Sequence, residues 1–296
     1  MGYTLTPQEL ETYRRDGLVM PNTHLPDEAY QLAKRTVNGI IDRATENTRE
    51  FTNVAHIPKR AGVPEGLDGG EEIFKLATSP AVVDFVEQCI GPDVVLWGTS
   101  IFAKPAGFGR AVQWHQDSNW WPMRPLVTCT MWLAIDDANV SNGCLRYIPG
   151  SHDWDVLPHL DEKAQGLLGS NIGQDLIDEK TARDVVLKAG QFSLHQANLV
   201  HGSNENNSTK RRAGLVMRYM PASSLFTREE DEAMVQRSLM KTGYTVTYAE
   251  RPIWLVRGEN RHPRNDYRVG HKNLEDLDAI AENARQAAKA WTPAHA

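Results

Sequence analysis

Residues 185–220 read VVLKAGQFSLHQANLVHGSNENNSTKRRAGLVMRYM, and this stretch indicates the fold most strongly. It contains three short runs of apolar, β-branched and aromatic residues, at 185–187, Phe192–His195 and 214–220. Glycine, asparagine and other turn-forming residues separate them. Runs of this length and composition, bounded by such residues, predict β-strands.

Further strands are predicted outward from this stretch, at 94–97, 101–103, 127–135 and 144–148. Residues 161–180 are polar and weakly periodic, and we interpret them as an insertion between strands. Many short strands at this spacing favour a β-barrel or a double-sheet jelly roll. The predicted class is therefore mainly β, with helices flanking the core.

Helices are predicted on both sides of this region. Thr6, Pro7 and Glu9 form a capping box with proline at N1, and Gly17 ends that helix. The apolar periodicity predicts further helices at 26–44, 80–90, 227–240 and 274–291. We expect one domain over 1–296, with a helical part at about 1–92, a jelly-roll core at about 93–222 and a C-terminal helical extension at about 223–296.

Composition excludes few functions but favours some. The chain has 296 residues and a formal net charge of −6, without a basic stripe, which disfavours nucleic-acid binding. No apolar run is long enough for a transmembrane helix. Three scattered cysteines are too few for a disulfide framework, which favours the reduced cytoplasm. We expect a cytoplasmic monomer or homodimer that acts on a small molecule, with no membrane or nucleic-acid partner.

Two histidines and one carboxylate predict a metal site. His115 and Asp117 lie two residues apart at the end of a predicted strand, so both side chains can point to one face. His201, before a Gly-Ser-Asn turn, supplies a second imidazole. Two histidines and one carboxylate with open positions opposite are the ligand set of non-haem iron(II) oxygenases, in which a 2-oxoacid and O₂ must both reach the metal.

The next predicted strand contains an arginine of the kind that this chemistry needs. Arg212 lies eleven residues after His201, inside the next predicted strand. A planar guanidinium can hold the distal carboxylate of 2-oxoglutarate with two parallel hydrogen bonds. Two residues compete with these assignments: His195 with His201, and Arg211 with Arg212. His195 lacks the Gly-Ser that follows His201, and neighbours in a strand point to opposite faces, so only one of the two arginines can face the site.

At these residues the sequence resembles the phytanoyl-CoA dioxygenase family of iron(II)- and 2-oxoglutarate-dependent oxygenases. The resemblance runs from about 94 to 219 and is weaker over the N-terminal helices. Five motifs carry it in order: TSIFAKP (99–105), WHQDSNWWP (114–122), MWLAIDD (131–137), NGCLRYIPGSH (142–152) and HGSNENNSTKRR (201–212). The resemblance implies a double-stranded β-helix, which is a cupin-like jelly-roll core.

The resemblance also implies roles for individual residues. It matches His115, Asp117 and His201 to the iron ligands and Arg212 to the arginine that binds 2-oxoglutarate. It places three more residues in the 2-oxoglutarate pocket: Ser203, Trp132 and Ser100. The family often has a further basic residue upstream, for which Lys59 and Arg60 are both candidates.

The substrate side is less well defined. Trp120 and Trp121 follow Asp117 closely, and we expect at least one at the mouth of the site, with His195 in its wall. An aromatic wall suits an apolar substrate or a cationic amine. The predicted reaction is hydroxylation of an unactivated C–H bond with release of succinate and CO₂. Desaturation, ring closure and epimerisation remain alternatives, as does a non-catalytic cupin-like binding domain.

Overall fold

Four α-helices lie among the described residues, and the first begins and ends at clear capping residues. The computed structural model describes residues 2–46, 48–57, 66–161, 167–168, 170–229, 248–249 and 251–271. The helices are α1 (Pro7–Asp16), α2 (Asp27–Asp42), α3 (Gly70–Ala77) and α4 (Pro80–Ile90). The capping box at Thr6 is present, and Gly17 ends α1 with a φ of 77°, a conformation that glycine adopts readily. Of these four helices, α1, α2 and α4 were predicted from the sequence, whereas α3 was not.

Fifteen strands lie among the described residues. They are β1 (Leu18–Val19), β2 (Phe51–Asn53), β3 (Val94–Lys104), β4 (Val112–His115), β5 (Met123–Arg124), β6 (Cys129–Ala134), β7 (Leu145–Tyr147), β8 (His159–Asp161), β9 (Ser170–Ile172), β10 (Arg183–Val185), β11 (Phe192–His195), β12 (His201–Ser203), β13 (Arg212–Pro221), β14 (Leu225–Phe226) and β15 (Trp254–Arg257).

Two antiparallel sheets form the core. The larger has seven strands in the order β1-β11-β6-β13-β3-β15, with β2 also paired to β3. The smaller has four strands in the order β10-β7-β12-β4. Residues of both sheets line one cavity, which therefore lies between them. This is the predicted jelly-roll arrangement.

The two faces of the larger sheet have different partners because side chains alternate along a strand. On β13, one set packs against the helices in the main hydrophobic core: Ala213, Leu215, Met217 and Tyr219. The alternate set faces the cavity: Arg212, Val216 and Arg218. Between them, a Cβ on Gly214 would lie 2.2 Å from the indole of Trp132, so only glycine lets that ring approach the strand.

The structure differs from the sequence prediction at both ends of the core. The two strands predicted at 94–97 and 101–103 are one strand, β3. The N-terminal part is not wholly helical, since β1 and β2 join the larger sheet. In the C-terminal part, β15 pairs with β3, where a helical extension was predicted. An edge strand is hard to recognise there because only three residues pair.

Other predictions fall partly outside the described residues. The insertion at 161–180 contains one half of the β8–β9 ribbon, and residues 162–166 and 169 are not described. The predicted helices at 227–240 and 274–291 lie almost entirely outside the described residues. Within the described ranges, no helix is long and apolar enough to cross a membrane. All three cysteines are free thiols.

Candidate active site

Three potential metal ligands meet at the edge of the smaller sheet. His115 ends β4 and His201 begins β12, and the two residues are direct cross-strand partners. Their ring centroids lie 4.1 Å apart. Asp117 lies just beyond β4, in a single turn of 3₁₀ helix, and its Oδ1 is 3.6 Å from Nε2 of His115. One donor atom from each residue lies within 4.8 Å of the other two.

The alternation of side chains along a strand therefore does not by itself explain the position of Asp117. Its carboxylate converges with His115 through a turn and not along a continuous strand. Gln116, fully buried between them, anchors that turn. Its side-chain amide donates to the carbonyl oxygen of Asn198 at 2.9 Å, and its Oε1 accepts from the backbone N–H of Leu157 at 2.8 Å.

Both histidines are oriented by their own strands. Nδ1–H of His115 donates to the carbonyl oxygen of Gln113 at 2.7 Å, and Nδ1–H of His201 donates to that of Leu199 at 2.9 Å. This bond selects the tautomer that leaves Nε2 with a free lone pair. Two imidazole nitrogens and a carboxylate are therefore presented together, and this donor set fits a divalent iron ion.

The charges of the group are those that a metal requires. Burial and, after it, the imidazole of His115 lower the pKa of His201 to about 3, so the ring is neutral at pH 7. Burial by itself raises the pKa of Asp117. The neighbouring imidazole of His115 and the positive charge of Arg218 outweigh it and hold that pKa below its usual range. Asp117 is thus ionised and His201 neutral before a metal binds.

The donor atoms face a cavity of about 990 Å³, including its open mouth. All the residues predicted for the site line it: His115, Asp117, His201, Arg212, Ser203, Trp132, Ser100, Trp120, Trp121 and His195. The structure thus brings together residues from β3, β4, β6, β11, β12 and β13 and from the turn after β4.

Arg212 occupies one end of this cavity. It is 3% exposed and donates from Nε and Nη2 to the carbonyl oxygen of Gly143, at 3.1 and 2.8 Å. Nη2 is 3.5 Å from Oγ of Ser203, and the guanidinium lies 5.5 Å from the ring centre of Trp132. Burial lowers the pKa of Arg212 to about 10, so it remains charged at neutral pH. This end can hold a carboxylate.

The rival residues occupy different environments. Arg211 lies outside the cavity and donates to both carboxylate oxygens of Asp136, at 2.8 and 3.0 Å. His195 lines the cavity, with its ring centroid 5.2 Å from that of His201, but it is not part of the converging donor group. Burial lowers the pKa of His195 to about 4, and its Nδ1 has no hydrogen-bond partner among the described residues.

The aromatic candidates form one wall. Trp120 is partly exposed, whereas Trp121 is 6% exposed and packs edge-on against Trp97 at 4.6 Å. Trp120 packs edge-on against His159 at 5.2 Å. His159 accepts a hydrogen bond at Nε2 from the backbone N–H of Gln116 and so joins this wall to the metal-ligand turn.

Sequence reasoning missed the opposite end of the cavity. Arg218 is 9% exposed and donates from Nη1 to Oγ of Ser100 at 2.8 Å, and Ser100 donates to Oδ1 of Asn53 at 3.0 Å. Ser100, assigned to the 2-oxoglutarate pocket, thus contacts Arg218 and not Arg212. The signal was present, because a charged residue interrupts the apolar run Leu215–Met220 and shares the face of Arg212.

Two arginines of the C-terminal part, Arg257 and Arg261, stabilise the fold. Arg257 pairs with Asp84 and Glu87 on α4, and Arg261 pairs with Asp93 at 2.7 Å. Neither arginine lines the cavity. Lys59 and Arg60, the candidates for an upstream basic residue, lie outside the described residues.

Comparison with known proteins agrees with this geometry. Residues 13–214 match the family model of phytanoyl-CoA dioxygenase. The chain belongs to this family. Its members are iron(II)- and 2-oxoglutarate-dependent oxygenases, so the protein is an enzyme of that class, with iron as its metal and 2-oxoglutarate and O₂ as cosubstrates.

Individual relatives are similar over most of the chain. Peroxisomal phytanoyl-CoA dioxygenase of Homo sapiens is 28% identical over 86% of this chain and 81% of its own. L-proline trans-4-hydroxylase of Streptomyces griseoviridis is 26% identical over 70% and 83%. Other mammalian relatives align over about half of their length. The solved structure of the non-haem monooxygenase ThoJ has a TM-score of 0.63 at 24% identity, over 95% of this chain and 99% of its own, and shows the same fold.

Proposed function

We propose that this dioxygenase hydroxylates an unactivated C–H bond of a small molecule, with His115, Asp117 and His201 as its iron ligands. The convergence of their three donor atoms on one cavity is the observation that carries the proposal. Iron(II), 2-oxoglutarate and O₂ together supply an oxidant for such a bond and release succinate and CO₂.

The residues around the metal group have distinct tasks in this proposal. Arg212 holds the distal carboxylate of 2-oxoglutarate, with Ser203 and Trp132 beside it. Two hydrogen bonds to the carbonyl of Gly143 hold the guanidinium in place before the cosubstrate arrives. Preorganised donors of this kind reduce the entropic cost of binding.

The aromatic wall positions the substrate and excludes water. Trp121 is buried against Trp97, whereas Trp120 is half-exposed at the cavity edge. His195 stays neutral at pH 7 and lines the wall as an uncharged group. His159 also contacts Trp120 and accepts a hydrogen bond from the backbone N–H of Gln116, so it joins this wall to the turn that carries Asp117.

The proposed cellular location and partners rest on net charge and on the free thiols. The formal charge of −6 and the three free thiols support a cytoplasmic enzyme without a nucleic-acid partner. L-proline, acted on by the Streptomyces relative, is an example of the small-molecule class that we propose.

The test is spectroscopic and chemical. Under anaerobic conditions, iron(II) and 2-oxoglutarate should produce the visible charge-transfer band of a chelated 2-oxoacid, and air should then yield succinate. Asp117→Ala should lose both signals, because two ligands hold the metal poorly. Arg146→Gln, which alters an arginine outside the cavity, serves as the control and should keep both. A wild-type protein that binds iron without this band would contradict the proposal.

A further inference from the structure

The cavity has two cationic ends on one strand. Arg212 and Arg218 face it from the same side of β13, six residues apart. At the rise of a β-strand, this places their Cα atoms about 20 Å apart. Arg218, and not Arg212, is among the charges that act on Asp117. The cosubstrate, held at Arg212, therefore leaves the Arg218 end free for a second ligand.

Arg218 is buried without a carboxylate partner. It is 9% exposed, and within the described ranges no carboxylate lies at salt-bridge distance from it. Its Nη1 reaches only the hydroxyl of Ser100, and its Nε has no acceptor among the described residues. A guanidinium offers five N–H donors, and burying its charge without a counter-charge is costly.

Two other arginines, unlike Arg218, are paired with carboxylates. Arg211 and Arg257 are 31% and 28% exposed at their side chains, and each binds a carboxylate directly. The more deeply buried pair, Arg212 and Arg218, instead face the cavity. Under the proposed function, 2-oxoglutarate provides the counter-charge of Arg212. Arg218 has no carboxylate at salt-bridge distance among the described residues, and its guanidinium lies 5.5 Å from the ring centre of Trp121.

The charge balance of the loaded site strengthens this contrast. Iron(II), the carboxylate of Asp117, the 2-oxoglutarate dianion and Arg212 carry no net formal charge together. Once iron binds Asp117, the attraction between Asp117 and Arg218 is offset by the metal charge. None of these groups then neutralises Arg218.

A second arginine reinforces this end. A Cβ on Gly98 would lie 4.0 Å from both Cδ of Arg218 and Nη1 of Arg251, so the two side chains meet above this glycine. Arg251 is 3% exposed, lines the same cavity and lies 5.0 Å from the ring centre of Tyr248. Both side chains are cationic, and an anion bound at this end would interact favourably with each of them.

We propose that Arg218, with Arg251 beside it, binds an oxyanion group of the prime substrate, either a carboxylate or a phosphate. This proposal rests on the proposed function and names the substrate class for that site. The remaining wall at this end is aromatic: Trp97, Trp121 and Tyr248. The substrate is therefore a small organic acid or phosphate ester with an apolar body, whose reacting C–H lies between its anionic end and the cosubstrate.

The test compares charged and neutral probes of one shape. Phenylacetate, phenyl phosphate and the neutral phenylacetamide are titrated anaerobically, by calorimetry, into the iron(II)-loaded enzyme saturated with 2-oxoglutarate. We expect at least one anion to bind about ten- to a hundred-fold more tightly than phenylacetamide, as charge-assisted hydrogen bonds imply. The stronger of the two anions identifies the group as carboxylate or phosphate.

Variants then assign the preference to one residue. Arg218→Gln should abolish the preference for the anion and leave phenylacetamide binding unchanged, whereas Arg218→Lys should keep part of it because the charge remains. The charge-transfer band with 2-oxoglutarate should persist in both variants, which also shows that they are folded. Arg146→Gln is the matched control outside the cavity.

The outcomes separate this proposal from the proposed function. Equal binding of charged and neutral probes by the wild type, or an anion preference that survives Arg218→Gln, would overturn the assignment. Loss of the 2-oxoglutarate band in Arg218→Gln, with its retention in Arg212→Gln, would also overturn it and make Arg218 the cosubstrate arginine. Absence of the band in the wild type would instead refute the proposed function.

Discussion

Replacing Arg212 by alanine is expected to weaken 2-oxoglutarate binding more than any other single change outside the metal ligands. The guanidinium is 3% exposed, and burial does not discharge it, since its pKa of about 10 stays well above neutral pH. Its position is held by the carbonyl of Gly143 and by the ring of Trp132. The alanine variant would thus leave the cosubstrate carboxylate buried without a counter-charge.

The magnitude follows from that burial. Removing one partner of a buried, hydrogen-bonded charge pair costs about 2–5 kcal/mol, which corresponds to a rise in Kd of about 30-fold to several thousand-fold. Ser203, at 3.5 Å from Nη2, remains as a donor but carries no charge. We therefore expect the loss to appear in 2-oxoglutarate affinity and not in iron affinity.

The assay is an anaerobic titration of the iron(II)-loaded protein with 2-oxoglutarate, followed by the charge-transfer band. Arg211→Ala is the matched control, because the neighbouring arginine bonds to Asp136 and Asn38 outside the cavity. This control should lower the melting temperature but keep the Kd within about two-fold. Equal losses of affinity in the two variants, at similar melting temperatures, would refute the pocket described here.

Three further predictions concern the metal, the reaction and pH. His201→Ala should lose bound iron, measured by metal analysis after desalting, whereas His195→Ala should retain it; the reverse pattern would reassign the third ligand. Because Asp117 fills the coordination position that a halide would need, excess chloride under ¹⁸O₂ should yield an oxygenated product by mass spectrometry; a chlorinated major product would contradict this. Burial, and after it the charges of Arg251 and Arg218, lower the pKa of His56 to about 3. As pH falls below about 6.5, His56 binds a proton in the unfolded chain but not in the folded protein. Folding stability is therefore lost between about pH 6.5 and pH 3. Between pH 7 and pH 5, the free energy of unfolding should fall by about 2 kcal/mol less in His56→Asn than in the wild type, as measured by urea unfolding. An unchanged pH dependence would refute this.

Much of the layer structure could be predicted because it depends on local periodicity. Apolar residues at every second position of β13 face the helices, and this alternation is visible in the letters Ala213 to Tyr219. The start and end of α1 are likewise determined by Thr6, Glu9 and Gly17 within one turn of each end. In contrast, β15 pairs only three residues with a distant strand, so its own sequence carries little information about this pairing.

The candidate metal ligands could also be predicted from the sequence, although the predicted reason for their convergence was only partly right. The spacing of His115 and Asp117 indicated a common target, but the geometry comes from a turn anchored by the buried Gln116. Nothing in the residues around Gln116 indicates that its amide reaches Asn198, some eighty positions later. Such contacts depend on how the sheets pack and not on local propensity.

The chain's own pattern thus determines the alternating strands, the helix caps and the spacing that links His201 to Arg212, because each depends on residues close in sequence. Only the tertiary structure decides that Arg218 and Arg251 meet above Gly98 at the far end of the cavity. Their approach requires β3, β13 and the segment before β15 to pack side by side. Electrostatic interaction depends on distance in space, and sequence separation does not report that distance until the sheet has formed.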